Sequence, residues 1–130
     1  MLRVHARKLG DIAVLSIRGG IVVGQTLPLR NKVQALSDVS AIILDLAHVT
    51  RIDAGGLGVL LELREETQAR GIEFRLMNVN GLVEQILEIT LLDSVFELSS
   101  ETEISAARAR SEAGVEFVYS TDETEEGLGV

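Results

Sequence analysis

Several things are missing from this chain, and each absence excludes something. None of its 130 residues is cysteine, so disulfides, thiol catalysis and cysteine-bound metals are ruled out. That suits the cytosol without requiring it. Tryptophan is also absent, and aromatics make up only 3% of the chain. A core must therefore come from Leu, Ile, Val and Ala. No apolar run approaches the roughly 20 residues of a membrane-spanning helix. The opening MLRVHARKLG mixes charge into a short alternating pattern, unlike a signal peptide. Positive charge is not in surplus: the formal net charge is −8. Up to Arg110 there are 14 acidic and 12 basic side chains, and from Ser111 onward six acids and no base. A near-neutral body with an acidic tail argues against sequence-independent nucleic-acid binding, which needs a basic surface. What is present is apolar, at 46%, enough for a single folded domain with its own core.

Hydrophobic spacing divides the chain into alternating elements. Residues 2–9 and 11–18 have the period of strands, and Gly10-Asp11 between them is a turn signal for an antiparallel pair. Val4 and Ala6 share one face of the first strand. Ala13, Leu15 and Ile17 share one face of the second, which Gly19-Gly20 should end. Residues 26–36 read as a helix with Pro28 in its first turn and Leu29, Val33 and Leu36 as its buried stripe. The run Ala41–Leu46 fits a strand covered on both faces. A polar turn follows, and then a helix from Asp53 to Gly71. Residues 72–77 predict a strand, Asn78 and Asn80 turn or cap residues, and 82–89 a helix. Val95-Phe96 fits a last short strand, and Ser100-Glu101-Thr102-Glu103 is a capping box opening a helix to about Arg110. The predicted fold is thus α/β: a small mixed sheet of about four to five strands with about four helices, mainly on one side. Residues 1–110 form the domain. Residues 111–130 form an acidic tail, favoured over an added edge strand despite the strand-like Val115–Tyr119.

The strand-to-helix corner is the most informative stretch. Asp53 suits the N-cap, where its carboxylate can accept from the N–H groups of Gly55 and Gly56 and favours the positive helix end. Two glycines in a helical first turn cost about 1 kcal/mol each against alanine. Such a cost implies close approach. Either a neighbouring loop or strand packs there, or a partner or anion meets the helix start. At 100° per residue, Val59, Leu60 and Leu63 face the sheet, Glu62, Glu65 and Glu66 face away, and Leu57 and Leu61 lie to one side. Leu57 and Leu61 are a partner patch if exposed, and core if the 82–89 helix covers them.

The stretch Asp45-Leu46-Ala47-His48-Val49-Thr50-Arg51-Ile52-Asp53-Ala54-Gly55-Gly56-Leu57-Gly58 resembles the STAS domain of the anti-sigma factor antagonist family. In that family a strand ending in Asp leads to Asp-Ser-Ser-Gly-Leu-Gly at a helix start. Leu76-Met77-Asn78-Val79 and Leu92-Asp93-Ser94-Val95-Phe96 extend the similarity, which covers about residues 3–110. The resemblance implies a non-enzymatic binding module without cofactor. It would bind an anti-sigma factor, a serine kinase of the GHKL type, and so free a sigma factor. In the family, phosphorylation of the second serine breaks the complex, as a dianion in a packed interface should. Here the two serines align with Ala54 and Gly55, and neither has a hydroxyl. The usual phosphoswitch is therefore absent. The implied partner-binding residues are Asp53, Ala54, Gly55, Gly56, Leu57 and Leu61.

Other chemistry is thin. Thr50 is the nearest upstream hydroxyl, but turn threonines usually hydrogen-bond locally rather than carry phosphate. His5 and His48 lack ligand spacing, so no metal is expected. Gly55-Gly56-Leu57-Gly58 lacks the ending and spacing of a phosphate loop. The expected protein is cytoplasmic and bacterial, with no membrane insertion and with a homodimer left open. The rival reading is a STAS-type small-ligand sensor, or an accessory subunit of a lipid-transport or signalling assembly. A phosphate-binding enzyme would have only Arg51 beside the corner to work with.

Overall fold

In the computed structural model, residues 2–92, 94–99 and 116–120 are described. The first two strands, β1 (Leu2–Leu9) and β2 (Ile12–Ile21), form the antiparallel hairpin that the Gly10-Asp11 signal predicts. Gly10 takes the left-handed φ of +65° that this tight turn requires. Next come helix α1 (Leu27–Ala35), strand β3 (Ala41–Ile52), helix α2 (Ala54–Ala69), strand β4 (Glu73–Met77), helix α3 (Gly81–Ile89) and strand β5 (Glu97–Ser99). The last element, β6 (Glu116–Ser120), pairs antiparallel with β1. The sheet order is β5-β4-β3-β2-β1-β6, and β2 through β5 run parallel.

Several expectations are corrected. Among the described residues the sheet has six strands where about four to five were expected, and Glu116–Ser120, in the segment expected to be a tail, pairs with β1 as an edge strand. β2 runs through Gly19 and Gly20 to Ile21, with Gly19 at a φ of +100°. β3 is 12 residues long and takes in the stretch expected to be a polar turn. Its extra length is accommodated by two register shifts against β2, between Ser16 and Arg18 and between Gly19 and Gly20. Each gives β3 one more residue than its partner, so Val49 stays inward while polar neighbours turn out. β5 begins just after the expected Val95-Phe96. Phe96 instead packs on Phe74, with ring centroids 6.4 Å apart. Among the described residues there are three helices. The helix expected over 100–110 lies outside them.

The main core lies between the sheet and these helices. It takes Val4, Ala6, Ala13, Leu15 and Ile17 from the hairpin, and Ile42, Leu44, Phe74 and Leu76 from the central strands. Leu29 and Val33 of α1, Leu60 and Leu63 of α2, and Val83 and Leu87 of α3 close over them. Each fully buried Leu contributes about 1.5–3 kcal/mol of transfer free energy. The period of two puts alternate residues on the other face of the sheet. There Leu9, Val14, Ile43 and Met77 form a second, smaller buried cluster.

Candidate functional site

The turn between β3 and α2 is built around Asp53. Its backbone is extended (φ −118°), and its carboxylate accepts from the Gly56 N–H at 2.8 Å. This is the predicted cap, with one difference. The other donor is not Gly55 but Val23, whose N–H lies 3.1 and 3.2 Å from the two carboxylate oxygens. Asp53 therefore staples the loop after β2 to the start of α2. The Gly56 and Val23 N–H groups, with a smaller effect from the Arg51 charge, hold its carboxyl below the usual carboxylate value.

Packing accounts for the two glycines. A Cβ on Gly56 would stand 1.8 Å from the carbonyl oxygen of Ile21, so no side chain fits. A Cβ on Gly55 would stand 2.8 Å from the Cβ of Val23. The close neighbour is thus the strand end and loop after β2. Of the six residues implied by the resemblance, Ala54 and Gly55 are exposed, Asp53 and Leu61 are half-buried, and Gly56 and Leu57 are buried. Leu57 is part of the main core and Leu61 packs against it, so the question left open for these leucines is answered in favour of packing.

The exposed apolar surface over Gly55 comes from Val23, a residue that sequence reasoning passed over. Val23 is 71% exposed and sits over Gly55, and Leu27 at the start of α1 is 62% exposed. The run Ile21-Val22-Val23 signalled only extended chain. Ile21 faces the core, and nothing in the sequence says that the third residue faces out.

A second corner joins β4 to α3. Asn80 caps α3 by accepting from the Val83 N–H at 3.0 Å. Its amide donates to the carbonyls of Val49 at 2.9 Å and Leu46 at 3.3 Å, inside the irregular part of β3. Asn78, in the left-handed region at φ +56°, donates to Asp45 at 3.1 Å.

The remaining candidates are dispersed. Thr50 is exposed on β3. His5 and His48 are exposed, and no cluster of three His, Cys, Asp or Glu among the described residues could hold a metal. Glu62 pairs with Arg30 of α1 at 2.6 Å across exposed surface, while Glu65 is solvated. A shallow depression of about 210 Å³, lined by Arg64, Gln68, Phe74 and Glu97, lies at the far end of α2 from the corner. No helix among the described residues is long and apolar enough to cross a membrane.

The fold recurs in solved structures. An anti-sigma factor antagonist from Mycobacterium paratuberculosis superposes with a TM-score of 0.68 at 20% identity, over 83% of this chain and 95% of that one. The Bacillus antagonist SpoIIAA in its unphosphorylated form gives 0.65 at 19% identity, over 86% of this chain and 98% of the other. A sulfate transporter family protein from Wolinella succinogenes gives 0.59 at 22% identity, over 79% and 86%. At these identities the likeness is one of fold. The STAS domain family model matches residues 3–106. The chain belongs to the STAS domain family, as the corner motif implied.

Proposed function

We propose that this protein is an anti-sigma factor antagonist, a non-enzymatic, cytoplasmic binding module. It binds an anti-sigma factor of the GHKL serine-kinase type and so releases a sigma factor. The observation that carries this reading is the corner itself. Ala54 and Gly55 are exposed at the helix start, beside exposed Val23 and braced by Asp53. This is a small apolar surface on a rigid support, the kind of patch that anchors a protein partner. With Ala54 and Gly55 at the two serine positions, binding is constitutive with respect to the serine phosphoswitch. Control then falls to partner level or to another site. The likeness to two antagonists of known structure supports the reading.

The test uses a GHKL-type kinase captured from host lysate on the wild-type protein, then purified for titration. Gly55→Asp puts a carboxylate where the family's phosphate stands. Because any Cβ there meets Val23, Gly55→Ala is the control for volume. Loss of binding in Gly55→Asp with retention in Gly55→Ala is the expected result. Equal retention in both would move the interface away from the corner. The Wolinella transporter-family neighbour favours one alternative, an accessory subunit or small-ligand sensor. Co-purification of a transport subunit or lipid, with no kinase, would select it.

A further inference from the structure

Helices α2 and α3 end in the same turn, with one difference in residue. After α2 the Ile72 N–H donates to the Thr67 carbonyl and the Gly71 N–H to that of Gln68, with Gly71 in the left-handed region at φ +76°. After α3 the Leu92 N–H donates to Leu87 and the Leu91 N–H to Glu88, and the left-handed position, at φ +61°, is held by Leu91. This turn usually takes glycine, because a Cβ is crowded there. Leucine adopts it only with strain. Burial does not offset that strain, since Leu91 is 78% exposed.

Leu91 follows directly on an apolar stripe. Leu82, Ile86 and Ile89 fall at i, i+4 and i+7 of α3 and share one face. Val83 and Leu87, on the adjoining face, are buried in the main core. The apolar arc of α3 is therefore wider than the part the core covers. Ile86 is half-buried, Leu82 is 42% exposed and Ile89 is 77% exposed. Around the helix from this stripe, away from the core, come Gln85, Glu88 and then Glu84, all exposed. Neither glutamate forms an ion pair with a described residue, and α3 contains no base.

We propose that this face of α3 docks an amphipathic helix of another protein, one whose apolar residues are flanked by lysine or arginine. Size and charge together set the occupant. From Leu82 to Ile89 the stripe runs about 10 Å along the helix and is one helix wide. That suits a single helix laid alongside. It falls well short of the roughly 800 Å² per partner that a stable standard interface buries. A second copy of the chain would bring its own Glu84 and Glu88 to an acidic margin, and like charges across an interface are unfavourable. Bases on a partner helix meet the two glutamates instead. Leu91, held out at the helix end, extends the apolar contact past Ile89. The inference uses none of the residues of the Asp53 corner and stands whether or not that corner binds an anti-sigma factor.

The test uses the isotope-labelled full chain and two synthetic helical peptides of about 18 residues. Both peptides carry the same leucine stripe, with lysines beside it in one and glutamates in the other. In amide correlation spectra the lysine peptide should move the signals of Leu82, Ile86, Ile89 and Leu91, and the glutamate peptide should leave them in place. Reversing the margin with Glu84→Lys and Glu88→Lys should weaken binding of the lysine peptide about tenfold and admit the glutamate peptide. A variant with Glu65→Lys and Glu66→Lys on α2 has the same net charge and should keep the wild-type preference. Leu91→Gly separates docking from folding. It should raise the urea midpoint, because glycine suits the left-handed turn, and still weaken the lysine peptide about fivefold. Stripe signals that move with neither peptide would overturn the proposal. Equal weakening in the two charge variants would overturn it too, by reducing the attraction to net charge, and so would unweakened binding by Leu91→Gly. Movement of the stripe signals on concentrating the protein alone would give the face to a second copy. Equal movement with phosphatidylcholine vesicles would give it to a lipid surface, and either result removes the partner helix.

Discussion

Two strand-to-helix corners stand at the C-terminal ends of neighbouring parallel strands, and they use nearly the same side chain in different ways. At the first, Asp53 caps α2 through the Gly56 N–H and takes a second donor from Val23. At the second, Asn80 caps α3 through the Val83 N–H and gives its own N–H groups to the Leu46 and Val49 carbonyls. A carboxylate only accepts, so the Asp corner gathers N–H groups from a surface loop. A carboxamide both accepts and donates, so the Asn corner can satisfy carbonyls of the irregular part of β3. The first corner thus holds a loop at the surface, where a partner can meet it. The second holds the sheet to its helix. Function is proposed for the first because its bracing leaves apolar residues outside.

Substitutions at matched positions break this comparison, and the glycines should give the largest effect. Gly56→Ala pushes a methyl into the Ile21 carbonyl and should cost about 3 kcal/mol or more in urea unfolding. Unchanged stability would mean that the β2 end is free to retreat. Asn80→Asp comes next. It removes both donors and turns a carboxylate oxygen toward two carbonyls, with an expected loss of about 2–3 kcal/mol. Asp53→Asn should lose less, since the cap to Gly56 can persist while Val23 loses its acceptor.

That third effect has a pH signature. The folded state holds the Asp53 carboxyl below its unfolded value. Its stabilisation is therefore complete above about pH 4–5 and is lost as pH falls through the depressed folded value. The stability gap between wild type and Asp53→Asn should stay constant from neutral pH down to about 5, and close in stronger acid. A gap independent of acid would remove the carboxylate from the account. The smallest effect belongs to Gly81, the first residue of α3. A Cβ there meets nothing within 4 Å, so Gly81→Ala should fall within about 0.5 kcal/mol of wild type, on the stable side.

What was legible in the sequence is what local periodicity and capping dictate. The angular reading of α2 put Val59, Leu60 and Leu63 on the sheet, and they are buried there. Asp53 and Asn80 were readable as cap or turn residues because an N-cap acts three residues along the chain. What sequence reasoning missed depends on pairing across the chain. Val23 donates to a carboxylate 30 positions away. The extension of β3 to Ile52 depends on irregular pairing with β2, which no period of two announces. Glu116–Ser120 becomes a strand because β1 offers it an edge. The six-residue partner set taken from the family pattern mixed exposed and buried positions for the same reason. The pattern fixes the chain order of the corner but not which residues the β2 loop covers.

The contact between Val23 and Gly55 also restricts the routes by which this protein could change. A serine at position 55 would recreate the acceptor of the family pattern. Its Cβ, however, would press on Val23, the residue whose backbone Asp53 holds in place. The two positions are therefore epistatic. A single exchange at 55 meets resistance, and a smaller residue at 23 brings no acceptor by itself. Regaining a phosphorylatable corner takes both steps, and the contact works as a ratchet against the return of the switch.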